Sequence, residues 1–450
     1  PRTYFTVTTI FRIATVSEAP SVLFKMIPAM MPMITPTNSL KGRLVKKLFF
    51  FIHIVTILVA FIACKNDSNS VPIQQEDLSL EAQTALDIVN TFRKQVAPSG
   101  MSRSISSSDL NILDCQQEEV LLRKTENSES TLARSTADEI EKVSLYNIKF
   151  ELNGKKGFAY SSPDLRINRV LAYCENGLIE DTIYIKGMAM AIKGITQSCA
   201  NDLNEYYSND RASSRANEKT STNGPFMLTE WSQDAPYNEN CGGSGCSTTN
   251  NGKYPAGCVG IAVAQSVAFL NKYDSQFNLA ALKKEKHIYS FSPLAAEVAK
   301  FVYHVAAGCK TDFACSGSGS TLAKATDYLQ SIGYNQDFLD YYYRKASSID
   351  NQLIGCLLMD RPVCVGGNTG KGNGHAWVFD GISATTTDRV GEVKKILALH
   401  CNWGWGGLGN GWYDNGNWYN PVDQTTFEPI SDNGSFYRNN EYIYFRYTRR

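Results

Sequence analysis

Residues 254–270 read Tyr-Pro-Ala-Gly-Cys-Val-Gly-Ile-Ala-Val-Ala-Gln-Ser-Val-Ala-Phe-Leu. Pro255 and Gly257 break the chain, and a helix is expected to start behind them with Cys258 in its first turn. Val259, Val263, Val267 and Leu270 recur at helical spacing and mark its expected inner stripe. Gly260, Ala262 and Ala264 suggest a close neighbour, since an interior glycine costs about 1 kcal/mol relative to alanine. Unpaired N–H groups and the positive end of the helix dipole lie beside the sulfur and favour thiolate. Cys258 is therefore a candidate nucleophile; the competing reading is an inert packing cysteine.

Downstream, Gly366 to Gly374 is a glycine-dense loop that feeds the alternating strand His375-Ala376-Trp377-Val378-Phe379-Asp380-Gly381. A polar turn, Thr385 to Glu392, leads to a second strand, Lys395 to Asn402. One antiparallel register of this hairpin sets His375 opposite Asn402, a base beside an amide able to fix its tautomer. The other histidines fit less well. His53 falls in an apolar leader, His287 and His304 in expected helical segments, and His400 lacks a glycine approach.

Ala256-Gly257-Cys258-Val259 with Ala264-Gln265, Gly374-His375-Ala376 with Val378 and Asp380-Gly381, and Asn402-Trp403-Gly404-Trp405-Gly406-Gly407 before Gly411-Trp412 resemble the three signature blocks of the streptopain family of cysteine peptidases. Upstream, Phe150 to Gly177 is similar to the inhibitory propeptide of bacterial members, and Trp231-Ser232-Gln233 with Pro236-Tyr237-Asn238 to the start of their mature domain. The resemblance implies an α+β, papain-like two-lobe cysteine peptidase, a helical lobe holding Cys258 and an antiparallel sheet lobe holding His375, preceded by a small α+β propeptide domain. It implies that Cys258 is the nucleophile and His375 the proton acceptor and donor. Asn402 would orient the imidazole, Trp403 would shield that contact from water, and Gly374 would offer backbone to substrate. His375 follows Cys258 sooner than the roughly 130–150 residues of papain-type enzymes. Gly252 stands six residues before the cysteine, where a glutamine is absent, which leaves the backbone N–H of Cys258 as the expected oxyanion donor. Gln265 is expected to support structure. Ser318, within Ser316 to Ser320, is a candidate wall of the substrate pocket.

The chain of 450 residues has 43% hydrophobic and 20% charged residues, which excludes general disorder. Its 44 basic residues balance 44 acidic ones, so no global field draws it to nucleic acid. Residues 1–40 read as an uncertain upstream segment. Lys41, Arg43, Lys46 and Lys47 precede the apolar run Leu48 to Ala63, the parts of a secretory signal. That run is shorter than the roughly 20 residues that span a bilayer. Ala63-Cys64 resembles a bacterial lipoprotein cleavage box, with Cys64 as the lipidated residue of segment 41–64 and a plain secretory peptide as the alternative. Export to the cell envelope, anchored by lipid, or release after processing would follow.

Residues 65–222 are expected to form the propeptide, with an amphipathic helix over Leu78 to Phe92, a hairpin of Leu145 to Leu152 and Gly157 to Tyr160 about Asn153-Gly154, and a strand over Arg169 to Tyr173. Ser208 to Gly224 reads as a linker open to proteolysis, and 223–450 as the peptidase domain. Cys241/Cys246 and Cys309/Cys315 are close pairs suited to local disulfides. The five scattered histidines form no zinc pattern, so no metal and no cofactor is expected. Expected partners are protein or peptide substrates and the chain's own propeptide as inhibitor. The aromatic, Gly- and Asn-rich stretch Asn402 to Asn420 leaves open an inactive peptidase-fold surface protein that binds glycans or host proteins, and acyl transfer to an amine would use the same residues as hydrolysis.

Overall fold

The computed structural model describes residues 3–13, 73–97, 110–126, 139–183, 185–208, 219–271, 276–334, 339–344, 351–368, 374–386, 393–414 and 439–445. The signal-type segment 41–64 with Cys64 lies outside the described residues, as do 209–218 of the linker and 369–373 of the glycine loop.

Strand β1 (Thr3–Ile13) falls in the segment read as upstream and pairs with β2 (Asn111–Glu126). Between them, helix α1 (Leu80–Val96) is capped by Ser79, whose Oγ accepts the Ala82 N–H at 3.2 Å. It buries Ala82, Ala85, Leu86 and Val89, the residues its periodicity marks. Strands β3 (Glu139–Leu152) and β4 (Lys155–Ser162) meet at Asn153 and Gly154, whose φ values of 52° and 73° suit a two-residue hairpin turn. β5 (Arg169–Cys174) completes this meander, followed by α2 (Lys186–Lys193) and α3 (Ile195–Ser208). Part of the expected linker is ordered differently: Lys219–Asn223 forms β6, paired with the strand that carries His375.

The next helices are α4 (Cys258–Leu270), α5 (Leu279–Leu282), α6 (Ala295–Gly308) and α7 (Leu322–Ser331). Strand β7 (Leu339–Arg344), helix α8 (Asn351–Leu357) and strands β8 (Val363–Asn368), β9 (Gly374–Thr386), β10 (Val393–Asn402), β11 (Gly411–Asp414) and β12 (Asn439–Phe445) follow. Gly366 to Asn368, read as loop, is thus the end of β8. One antiparallel sheet runs β1-β2-β3-β4-β5-β11-β10-β9-β8-β12-β7, with β6 beside β9. The seam between the N-terminal meander and the C-terminal strands is β5 with β11, Trp412 opposite Tyr173. A Cβ at Gly411 would lie 2.4 Å from the Tyr173 carbonyl, so glycine lets these strands close.

Two apolar cores flank the sheet, and the alternation of β8 and β9 divides their side chains between them. Val363, Val365, Trp377 and Phe379 enter a core shared with α2, α3 and α8, whereas Cys364, Ala376 and Val378 enter one shared with α4, α6 and α7. The fold is α+β. Helix α4 departs from the expected single stripe, because every residue from Val259 to Ala268 is buried. It is enclosed by the sheet and by α6, which approaches so closely that a Cβ at Gly260 would sit 2.8 Å from Ala306 Cβ.

The cysteine pairing also differs from the expected local pairs. Cys246 bonds Cys315, while Cys241 and Cys309 are free and buried. Residues 312–319 fold back on themselves through reciprocal Asp312 and Gly319 backbone bonds, and Thr248 Oγ1 donates to the Cys315 carbonyl at 2.5 Å, which brings Cys315 to the 246 loop. Cys309 instead ends α6 inside the helical core. His304 lies in α6, but His287 lies outside any helix and meets Glu230 at 3.1 Å.

Candidate active site

Cys258 opens α4 behind Gly257, whose φ of 87° is a left-sided conformation that glycine adopts freely. No side chain caps this helix. The Cys258 thiol is half-buried, and the nearby backbone N–H groups of Ala376, Val259 and Cys258 itself favour its thiolate. Burial nevertheless pushes the thiol up from its ordinary value, outweighing those three donors. The expected preference for thiolate is therefore corrected: desolvation at this packed helix end exceeds the help of the N–H groups.

His375 is the second residue of β9 and is buried. Its Nε2 lies 3.1 Å from the Trp403 carbonyl. A carbonyl can only accept, so Nε2 carries the proton and Nδ1 of the neutral ring keeps the lone pair. Burial lowers the imidazole to about 4, with the Trp403 bond working in the opposite sense. The Trp377 and Trp405 rings stack on it at centroid distances of 6.2 and 6.3 Å, and Trp403 is tilted against it at 6.3 Å. Cys258 packs against the core that contains Ala376, the residue after His375, which brings the thiol to the start of this strand.

The register of β9 and β10 is not the expected one. Asn402 faces Val378, not His375, because the ladder slips between His400 and Cys401 and at two further points. The Asn402 carboxamide is buried: its Nδ2 donates to the Thr229 carbonyl at 2.7 Å and to Gln265 Oε1 at 3.3 Å. Its Oδ1 accepts from Gly404 N–H at 3.3 Å and Gln265 Nε2 at 3.4 Å. The hydrogen-bond partner of the imidazole is accordingly the backbone of the next residue. Trp403 is fully buried, its Nε1 donating to the Gly409 carbonyl at 2.9 Å.

Gly374 is exposed at the start of β9, opposite Asn368. Ser318 lies beside Gly257, its carbonyl 3.1 Å from where a Cβ would stand, so it walls the entry to α4 with backbone. Its hydroxyl is engaged within the loop, accepting the Ala314 N–H at 3.3 Å. Sequence reasoning missed the indoles of Trp377 and Trp405 around His375, although Trp405 stands in the third signature block and Trp377 on the expected strand of His375. It also missed the grip of the N-terminal region on the Trp403 loop. Asn176 donates through Nδ2 to the Gly407 carbonyl at 3.2 Å and accepts from Gly409 N–H at 2.7 Å, and Gly187 of α2 lies flush against the Trp403 ring. Only Glu175-Asn176-Gly177, just beyond the expected strand Arg169 to Tyr173, marked that place. Among the described residues no group of three or more His, Cys, Asp or Glu is arranged to hold a metal ion.

A thiol at a helix tip, backbone N–H groups aimed at it, and a neutral imidazole at the adjoining strand end form the parts of a covalent acyl-transfer site. Residues 267–413 match the Peptidase C10 family, the streptopain family. This stretch is similar to the streptopain-like cysteine peptidases, which are hydrolases, and supports peptidase activity. The C10 match takes in His375, Asn402 and Trp403 and begins inside the helix that Cys258 opens. No curated protein matches the chain.

Proposed function

We propose that this chain is an exported cysteine endopeptidase of the C10 type made as a zymogen, with Cys258 as nucleophile and His375 as base and acid on a papain-like two-lobe fold. The observation that carries the reading is that Cys258, at the tip of α4, packs against the core that contains Ala376, the residue after His375. In the reaction, Nδ1 of His375 takes the thiol proton as sulfur attacks the scissile carbonyl. The oxyanion receives the Cys258 N–H; His375 then protonates the leaving amine, and water, deprotonated by the same ring, resolves the thioester. Each oxyanion donor is worth about 3 kcal/mol in such sites. Asn402 and Trp403 order and shield the base, Gly374 offers backbone to the substrate, and the Ser318 loop bounds the pocket.

The N-terminal region is the inhibitory propeptide in this reading. Its β5 pairs with β11, and Asn176 and Gly187 press on the Trp403 loop that holds His375. Cleavage in the 208–224 linker, upstream of β6, would release it. Export and lipid attachment at Cys64 rest on the sequence of 41–64. Cys258→Ala is expected to abolish peptidase activity and self-processing while the circular dichroism spectrum stays unchanged. Self-cleavage by that purified variant would overturn the assignment.

A further inference from the structure

Helix α4 buries two polar side chains, Gln265 and Ser266. Ser266 Oγ donates to the Ala262 carbonyl of its own helix at 2.9 Å and lies 3.2 Å from Cys364 Sγ. Gln265 reaches outward. Its Oε1 accepts the Trp231 N–H at 3.1 Å and Asn402 Nδ2 at 3.3 Å, and its Nε2 lies 3.4 Å from Asn402 Oδ1. Because a backbone N–H only donates, Trp231 fixes which end of the Gln265 amide faces it and leaves the Nε2 end for Asn402 Oδ1. The same reasoning passes to Asn402, whose Oδ1 receives the Gly404 N–H while Nδ2 meets the Thr229 carbonyl. Flipping either amide would oppose like groups, and in a buried network each unmatched pair is costly. Between Asn402 and Gly404 stands Trp403, whose carbonyl meets His375 Nε2.

We propose that Gln265 is a positioning residue for the base: from the helix that begins with Cys258, it fixes the Asn402 carboxamide and thereby the Asn402–Gly404 turn that holds His375. One helix thus carries the nucleophile at its tip and the anchor of the base two turns further on. Thr229 and Trp231, just downstream of the linker, complete the relay. The inference rests on the proposed pairing of Cys258 with His375, and the experiment separates the two.

The test compares the full chain with Gln265→Glu and Gln265→Met on a fluorogenic peptide, beside Cys258→Ala, His375→Ala and Asn402→Ala. Glutamate keeps the acceptor for Trp231 and removes the donor to Asn402; methionine keeps the volume without a buried charge. Both should lower kcat by about 10- to 100-fold. KM should stay within about twofold, and the limb of the kcat/KM pH profile set by the imidazole should move. Gln265→Met combined with Asn402→Ala should be no slower than Asn402→Ala alone. Wild-type kcat with an unmoved limb, losses that multiply in the double variant, or failure of both Gln265 variants to fold would overturn the positioning role. Activity in Cys258→Ala or His375→Ala would instead overturn the pairing itself.

Discussion

His375 sits among three indoles with its Nε2 proton on a backbone carbonyl, a setting that disfavours the imidazolium. An unfolded histidine titrates near 6.5, whereas this one is lowered to about 4. Between those values the unfolded chain binds the extra proton, so stability falls as pH drops from 6.5 towards 4 and is flat in this respect above 6.5. The full effect is on the order of 3 kcal/mol. Chemical denaturation across that range should show the loss in the wild type and a flatter profile in His375→Phe; equal slopes would contradict the burial argument. The raised Cys258 thiol gives a second expectation: alkylation of the full chain by iodoacetamide should still be accelerating at pH 9, without an earlier plateau. The places of the two residues, at a helix start and a strand start, were legible because each had a local signal, a Pro/Gly break before an apolar helix and a glycine approach before a strand. Their ionisation was not, since the dipole argument omits the desolvation that only packing creates.

Helix α2 meets the Trp403 loop at Gly187, where a Cβ would fall 2.2 Å from the indole ring. Gly187→Ala should therefore cost about 1–3 kcal/mol by overpacking. Because the strain falls between the proposed propeptide and the loop that holds His375, the full chain should process itself faster than wild type, followed by gel over time. Unchanged or slower processing would separate α2 from inhibition. Helix α1, the Asn153-Gly154 hairpin and β5 were legible from periodicity and turn residues, and α4 began where its breaker residues placed it. The register of β9 with β10 was not, because bulges add residues that no alternation reveals. Strand β6 was hidden in a polar run, Lys219–Asn223, whose pairing comes from β9 and not from its own composition. The Cys246–Cys315 bond escaped for a similar reason, its partners lying 69 residues apart in sequence.

Across the whole molecule, one sheet and one core run from the N-terminal meander into the strands of the candidate site. An ion cluster closes the same seam. Arg169 of β5 bonds Asp202 of α3 at 2.8 Å and also Asp414 of β11, and Lys395 of β10 meets Asp202 at 2.6 Å and Glu205 at 2.7 Å. Burial alone would raise the Asp202 carboxyl, but Arg169 and Lys395 hold it below its ordinary value. Its contribution is thus present above the unfolded carboxylate range and lost only as pH falls through the lower folded value. Arg169→Met would leave buried carboxylates short of a partner and should cost about 3–5 kcal/mol, read as a lower denaturation midpoint. The continuous sheet was not legible in the sequence, because β5 and β11 are far apart in the chain. The most direct test of the account is to treat the active protein with a thiol-directed epoxide and locate the label by mass spectrometry. The account predicts modification of Cys258, loss of activity in proportion, and no inactivating label on the other free cysteines. Activity that survives complete labelling of Cys258, or inactivation with the label on a different cysteine, would contradict it.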